Sequence, residues 1–247
     1  MKTGLRALWQ AAKDICFPPV CLVCRTGLGG NVTDRQHISL CADCLTLVVF
    51  LQEPLCRWCG KTFPKAAGNN HLCGYCLQHS WRFTTARSVI QYQGVLTSAI
   101  QSFKYGENRS VLSTFVGLKE SLPHLRDMVV PDLILPVPLH PERLRQRGFN
   151  QALVLAKAFF PDQQAKIHSS ALVRSRRTRP QTGLSGTARR KNIKGAFAVV
   201  HDMVAGRKVL LIDDVFTTGT TVNECARVLC KAGAREVHAL TLARAAL

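Results

Sequence analysis

The spacing of apolar residues changes along this chain. Leu5, Leu8, Trp9, Ala12 and Ile15 recur at helical spacing and predict a short amphipathic helix. After Trp81 the pattern becomes that of alternating strands and helices. Residues 86–92 alternate as a strand, 95–103 and 111–122 carry helical periodicity, and 134–137 form a short apolar strand bounded by proline. Residues 149–160 are again helical and 171–173 strand-like, followed by a polar stretch, 174–186, with Pro180, Gly183 and Gly186 among basic and hydroxyl residues. That stretch predicts a long loop. A buried strand at 209–212, a helix at 220–232 stopped by Gly233, and a closing strand at 237–242 complete the order. Alternation of this kind predicts an α/β fold with a mainly parallel sheet, whose ligands bind at the carboxyl ends of the strands.

The first third follows a different rule, set by cysteine. Nine of the 11 cysteines precede residue 77, and eight form four pairs with a two-residue gap: Cys21 and Cys24, Cys41 and Cys44, Cys56 and Cys59, Cys73 and Cys76. One tight turn with that gap aims two sulfurs at one ion, and two turns make a closed tetrahedral zinc site. Two successive ribbons, 21/24/41/44 and 56/59/73/76, need the fewest chain crossings; an interleaved cross-brace is the other arrangement. Gly27, Gly60 and Gly74 sit where such turns often need positive φ. Cys16 reads as a small apolar residue and His71 as a surface loop residue. Two structural Zn2+ are therefore expected, stabilising a piece too small to fold on its core alone.

At 247 residues, 47% apolar and 19% charged, the chain can bury a sizeable core. The expected division is a helix and double ribbon at 1–80 and an α/β domain at 81–247. Apolar runs such as 45–51 fall far short of the ~20 residues needed to span a bilayer. Lys13 and Asp14 interrupt any signal-peptide stretch, so a cytoplasmic protein is expected. The formal charge of +18 is uneven: residues 140–195 hold 13 lysines and arginines against two acids. An anionic partner is expected there.

Chemistry concentrates after the strand at 209–212. Asp213 and Asp214 follow four apolar residues, and Thr217, Thr218, Gly219, Thr220 and Thr221 then open a helix. Backbone N–H groups and hydroxyls in such a turn can wrap a phosphate at the positive end of the helix dipole. The two carboxylates repel phosphate but accept hydrogen bonds from sugar hydroxyls, which suits them to an adjoining ribose. In this order the residues resemble the type I phosphoribosyltransferases, a fold with helices on both faces of its sheet. The resemblance implies that Asp213 and Asp214, as catalytic residues, hold the ribose hydroxyls of phosphoribosyl pyrophosphate, and that residues 217–221 hold its 5-phosphate.

A second resemblance spans nearly the whole chain. It is carried by residues 136–151 (Pro-Val-Pro-Leu-His-Pro-Glu-Arg-Leu-Arg-Gln-Arg-Gly-Phe-Asn-Gln), Arg179-Pro-Gln181, Arg189-Arg-Lys-Asn192, Leu242-Ala-Arg244 and the cysteine pairs. Together these are similar to the ComF family of competence proteins, including its DNA-utilisation members. The resemblance implies that Arg143, Arg145 and Arg147 face the pyrophosphate, and that Arg174, Arg177 and Gln181 reach in from a mobile hood. It also implies Mg2+ bound with the pyrophosphate, partners in the DNA-uptake machinery, and single-stranded DNA on a basic surface. Arg174, Arg176, Arg177, Arg179, Arg189, Arg190 and Lys191 are the candidates for that surface. A nucleobase-salvage phosphoribosyltransferase and a regulator that senses phosphoribosyl pyrophosphate are the alternative functions. The absence of a Walker A lysine motif excludes an ATP-driven motor.

Overall fold

The computed structural model describes residues 18–28, 38–64, 66, 68–103, 109–122, 125, 128–178, 186–200 and 202–245. The expected N-terminal helix, Cys16, Arg179 and Gln181 lie outside the described residues.

Four strands form a parallel sheet: β1 (Thr85–Gln91), β2 (Leu133–Pro136), β5 (Lys208–Phe216) and β6 (Glu236–Arg244), in the order β1-β6-β5-β2. Two more, β3 (Leu172–Arg174) and β4 (Phe197–Val199), pair antiparallel as a separate ribbon. The eight α-helices among the described residues are α1 (Ala42–Thr46), α2 (Gly74–Leu77), α3 (Thr97–Ser102), α4 (Arg109–Glu120), α5 (Pro141–Arg147), α6 (Gln151–Phe159), α7 (Gly186–Ile193) and α8 (Thr220–Lys231).

The central strands read as continuous apolar runs because both faces are covered. Leu210 and Ile212 of β5 join Leu240 and Leu242 of β6 in one cluster with Phe115 of α4 and Leu155 and Phe159 of α6. Val209 and Leu211 point the other way, into a second cluster with Val222, Cys225 and Leu229 of α8. The same alternation divides the cysteine-rich segment. Cys21 and Cys44 pack into the first cluster, whereas Cys56, Cys59, Cys73 and Cys76 pack into the second. The ribbons thus lie against opposite faces of the sheet, and the chain between them passes along the edge strand β1. There the Leu51 N–H donates to the Val89 carbonyl (3.3 Å), the Gln91 N–H to Val49 (2.8 Å) and the Ala86 N–H to Trp58 (2.6 Å). An edge that would otherwise invite pairing with another chain is closed.

Four elements differ from expectation. Strand β5 continues through the acid pair to Phe216, because β6 runs beside it as far as Arg244 and supplies hydrogen-bond partners. Residues 141–147, for which no helix was expected, form α5, with Pro141 in its first turn, the His140 side chain accepting from the Glu142 N–H (3.4 Å), and termination at Gly148. Residues 186–193 and 197–199, for which no element was expected, form α7 and β4.

Candidate phosphate site and paired cysteine clusters

Each cysteine cluster joins a tight turn to a short helix. In the first, the Arg25 N–H returns to the Cys21 carbonyl (3.0 Å), while the Cys41 sulfur caps α1 by accepting from the Cys44 N–H (3.4 Å). The second repeats the plan, with the Gly60 N–H returning to Cys56 (3.0 Å) and Cys73 preceding α2. Gly60 has φ 69°, and a Cβ there would stand 2.6 Å from the Ala86 carbonyl oxygen of β1. Gly27 and Gly74 are not left-handed; the corresponding position in the first turn is Arg25 at φ 64°.

The sulfurs fall into sequential groups, 21/24/41/44 and 56/59/73/76, each with all four ligand atoms within 4.8 Å of one another. The cross-brace is thereby ruled out. Cys24 and Cys41 sulfurs are 3.6 Å apart and those of Cys59 and Cys73 3.7 Å apart. A zinc tetrahedron with bonds of about 2.3 Å has edges of about 3.8 Å, so the donor sets fit this metal. Burial pushes the Cys44 thiol up to about 12 and that of Cys76 up to about 11, whereas hydrogen bonding to Thr26 draws exposed Cys24 down to about 6. Thiols held so closely cannot all ionise unless a cation replaces their protons. Four protein ligands leave no open position, which makes both sites structural. His71 ligates neither; its ring stacks on Phe63, with centroids 3.9 Å apart.

The second centre of interest is the end of β5. Asp213 and Asp214 are half-buried, and each fixes one oxygen on the next residue: the Asp214 N–H donates to Asp213 Oδ1 (2.9 Å) and the Val215 N–H to Asp214 Oδ1 (2.7 Å). Phe216 is buried and anchors the turn that follows. Thr217, Thr218 and Gly219 lead into α8, whose first two residues are Thr220 and Thr221. The Thr218 and Thr220 hydroxyls are 2.7 Å apart. Gly219 has φ 74°, and a Cβ on it would meet Phe216 Cζ at 2.6 Å and the Trp81 ring at 3.2 Å, so only glycine fits. It precedes a 12-residue helix with no side-chain cap bond, a terminus whose N–H groups and dipole suit an anion.

Arg174, at the end of β3, lies within electrostatic reach of Asp213. Its guanidinium lies over Phe197 (5.4 Å) and donates to the Thr178 hydroxyl, but its Nε is buried with no hydrogen-bond partner among the described residues. Burial, and then neighbouring Arg143, hold its pKa below the ordinary value; buried Cys225 of α8 and then Asp213 oppose that shift. Arg143, Arg174 and Arg177 line one cavity of 480 Å³ with His140, Glu142, Gln146 and Thr178. Arg177 forms an ion pair with Glu142 (3.0 Å), which rests the first part of the hood on α5.

Among the described side chains, Arg145, Arg147, Arg176, Arg190 and Lys191 do not line that cavity. Arg145 is exposed, and Arg147 donates to Oε1 of buried Gln151 (3.0 Å). Arg176 donates to the carbonyls of Asn192 (2.8 Å) and Lys194 (2.7 Å), closing the base of the hood. Arg189, Arg190 and Lys191 belong to α7, where Arg190 and Lys191 are exposed.

Comparison with known proteins agrees with both halves. Residues 12–77 match the double zinc ribbon domain, and residues 148–246 match the phosphoribosyl transferase domain. The DNA utilization protein YhgH of Escherichia coli O157:H7 is 33% identical over 235 residues, covering 93% of this chain and 99% of that one. The chain belongs to the ComF family. Its relatives include competence protein F of Haemophilus influenzae (32% identity; 91% of this chain, 96% of the relative) and competence protein ComFC of Bacillus subtilis (26%; 91% and 95%). A solved allosteric regulatory enzyme of purine biosynthesis aligns with a TM-score of 0.38 and 20% identity, covering 58% of this chain and 30% of its own.

Two residues of this ComF protein had no role in the sequence reading. Trp81 donates through Nε1 to the Cys76 sulfur (3.1 Å), and buried Arg244 donates to the Cys59 carbonyl (2.6 Å) and sulfur (3.4 Å). The only sequence signal was the place of Arg244 in the Leu242-Ala-Arg244 motif.

Proposed function

We propose that this ComF protein binds phosphoribosyl pyrophosphate at the end of β5 and single-stranded DNA on the basic surface of residues 140–195. It would act in the cytoplasm with the DNA-uptake machinery, with ribbons (1–80) and phosphoribosyltransferase-like part (81–247) as its two functional units. The family supports a role in DNA uptake and utilisation. The observation that carries the ligand is the buried Nε of Arg174, which has no hydrogen-bond partner among the described residues and lies within electrostatic reach of Asp213, the first acid of the pair that precedes the Thr-rich turn.

In this reading the backbone N–H groups and hydroxyls of 217–221 receive the 5-phosphate. Asp213 and Asp214 accept from the ribose hydroxyls and orient the sugar. Arg143, Arg174 and Arg177, with Gln181 of the hood, take the pyrophosphate, for which planar guanidinium donors are suited. The acid pair supplies hard oxygen ligands for Mg2+, which when bound offsets the charge of the pyrophosphate. Arg190 and Lys191, with Arg179 and Arg189, would track a nucleic-acid backbone without reading its sequence.

Calorimetric titration of the zinc-loaded protein with phosphoribosyl pyrophosphate and Mg2+ tests the ligand. Absence of binding would remove it. Pyrophosphate release in the presence of a free nucleobase would make the protein a salvage enzyme, and binding of ligand with neither turnover nor DNA affinity would make it a sensor.

A further inference from the structure

The second cysteine cluster lies directly beneath the turn that follows β5. Two side chains connect them. Arg244 donates to the Cys59 carbonyl (2.6 Å) and the Cys59 sulfur (3.4 Å), while its guanidinium carbon lies 4.8 Å from the centroid of the ring of Phe216, the last residue of β5 and the one on which the turn is anchored. Trp81 donates to the Cys76 sulfur (3.1 Å), and its ring is the wall that a Cβ on Gly219 would strike at 3.2 Å. Phe83 completes the contact, with its centroid 5.0 Å from Trp81 and 6.1 Å from Phe216. The backbone is tied as well, since the Arg82 N–H donates to Asn223 Oδ1 (2.7 Å) in α8.

Hydrogen bonds to a metal-bound sulfur fix its orientation and basicity, and their loss typically weakens metal binding ~10-fold to 100-fold. Here both donors sit on groups that also set the shape of the phosphate turn. A turn packed this tightly against an aromatic wall has little room to adjust independently of it.

We propose that the second cysteine cluster and the 217–221 turn form one thermodynamic unit, in which Arg244 and Trp81 each hold a zinc-ligating sulfur at one end and brace the turn at the other. Metal held below and anion bound above then reinforce one another, and the coupling is equal in both directions. The first cluster, on the opposite face of the sheet, lies outside this unit. The anion half rests on the reading of the 217–221 turn given above; the metal half rests on contacts alone.

The test is zinc release from the full-length, zinc-loaded protein into excess chelator, followed with a zinc-sensitive dye. Two phases are expected, a fast one from the cluster containing exposed Cys24 and a slow one from the fully buried second cluster. Saturating phosphoribosyl pyrophosphate with Mg2+ is expected to slow the second phase ~10-fold and leave the first unchanged. If calorimetry shows that the ligand binds but the slow phase does not move, the coupling is wrong while the ligand reading stands. If the ligand does not bind, Gly219→Ala decides. Its Cβ displaces Trp81 and Phe216, so it should accelerate the slow phase alone by ~10-fold. Should the strained backbone accelerate both phases through general unfolding, Phe216→Leu replaces it and carries the same expectation. An unchanged slow phase in Phe216→Leu overturns the proposal.

Discussion

Arg174→Met should separate stability from ligand affinity at one position. The substitution keeps most of the volume and the side-chain packing against Phe197 but removes the charge. It ends the repulsion from Arg143 and relieves a buried N–H without a partner among the described residues. An unsatisfied buried donor costs about 1–3 kcal/mol. Against that relief stand the lost charge-assisted bond to Thr178, worth about 1.5–3 kcal/mol, and the cation–π contact with Phe197, worth about 0.5–2 kcal/mol. These contributions partly cancel, so unfolding stability should fall by only about 1–2 kcal/mol. Ligand affinity should behave differently. A charge-assisted hydrogen bond contributes about 1.5–3 kcal/mol, so losing one weakens binding about 10-fold to 150-fold. Urea denaturation at fixed zinc content gives the first quantity and calorimetry with phosphoribosyl pyrophosphate and Mg2+ the second. A variant destabilised by more than about 3 kcal/mol that keeps its affinity would show Arg174 to be a structural residue and refute the argument.

Asp213→Asn combined with Asp214→Asn should leave the protein folded by circular dichroism while nearly abolishing phosphoribosyl pyrophosphate binding, because the amides keep the shape but not the charge. Elemental analysis should find two zinc ions per chain, falling to about one after Cys56→Ser with Cys59→Ser. Binding to a 20–40 nucleotide strand should weaken linearly on a plot of log affinity against log salt, and replacing Arg189, Arg190 and Lys191 by Gln should flatten the slope by roughly 2. No change in slope would remove α7 from the DNA surface.

Legibility in the sequence followed the length and one-sidedness of each element. Strands β1, β5 and β6 and helices α4, α6 and α8 bury long apolar stretches and left a clear period. Helix α5 did not, since its seven residues carry one large apolar side chain, Leu144, which is itself exposed. Only its ends, His140-Pro141 and Gly148, marked it. Helix α7 is almost wholly polar and buries only Ile193 among its described side chains, and β4 is three residues long, so neither had a period to detect. The acid pair and phosphate turn were readable because their residues are consecutive. The bracing by Arg244 was not, because the contact spans 185 residues of sequence.

The placement of the ribbons on opposite sides of the sheet has a practical consequence for anyone dissecting the protein. A fragment beginning near residue 81 would contain every residue assigned to the ligand, yet it would be a poor reagent. It would lose Cys21, Leu40 and Cys44 from one apolar cluster and Cys56, Cys59, Cys73 and Cys76 from the other, leaving two greasy faces uncovered at once. The same cut would strip residues 49–51 and Trp58 from β1 and leave its backbone free to dock on another copy. Such a fragment should elute from a sizing column as aggregate, and its failure to bind ligand would report that damage and nothing about the ribbons. Single cysteine substitutions in the intact chain are the cleaner instrument, because each removes a metal ligand while leaving the edge of the sheet closed.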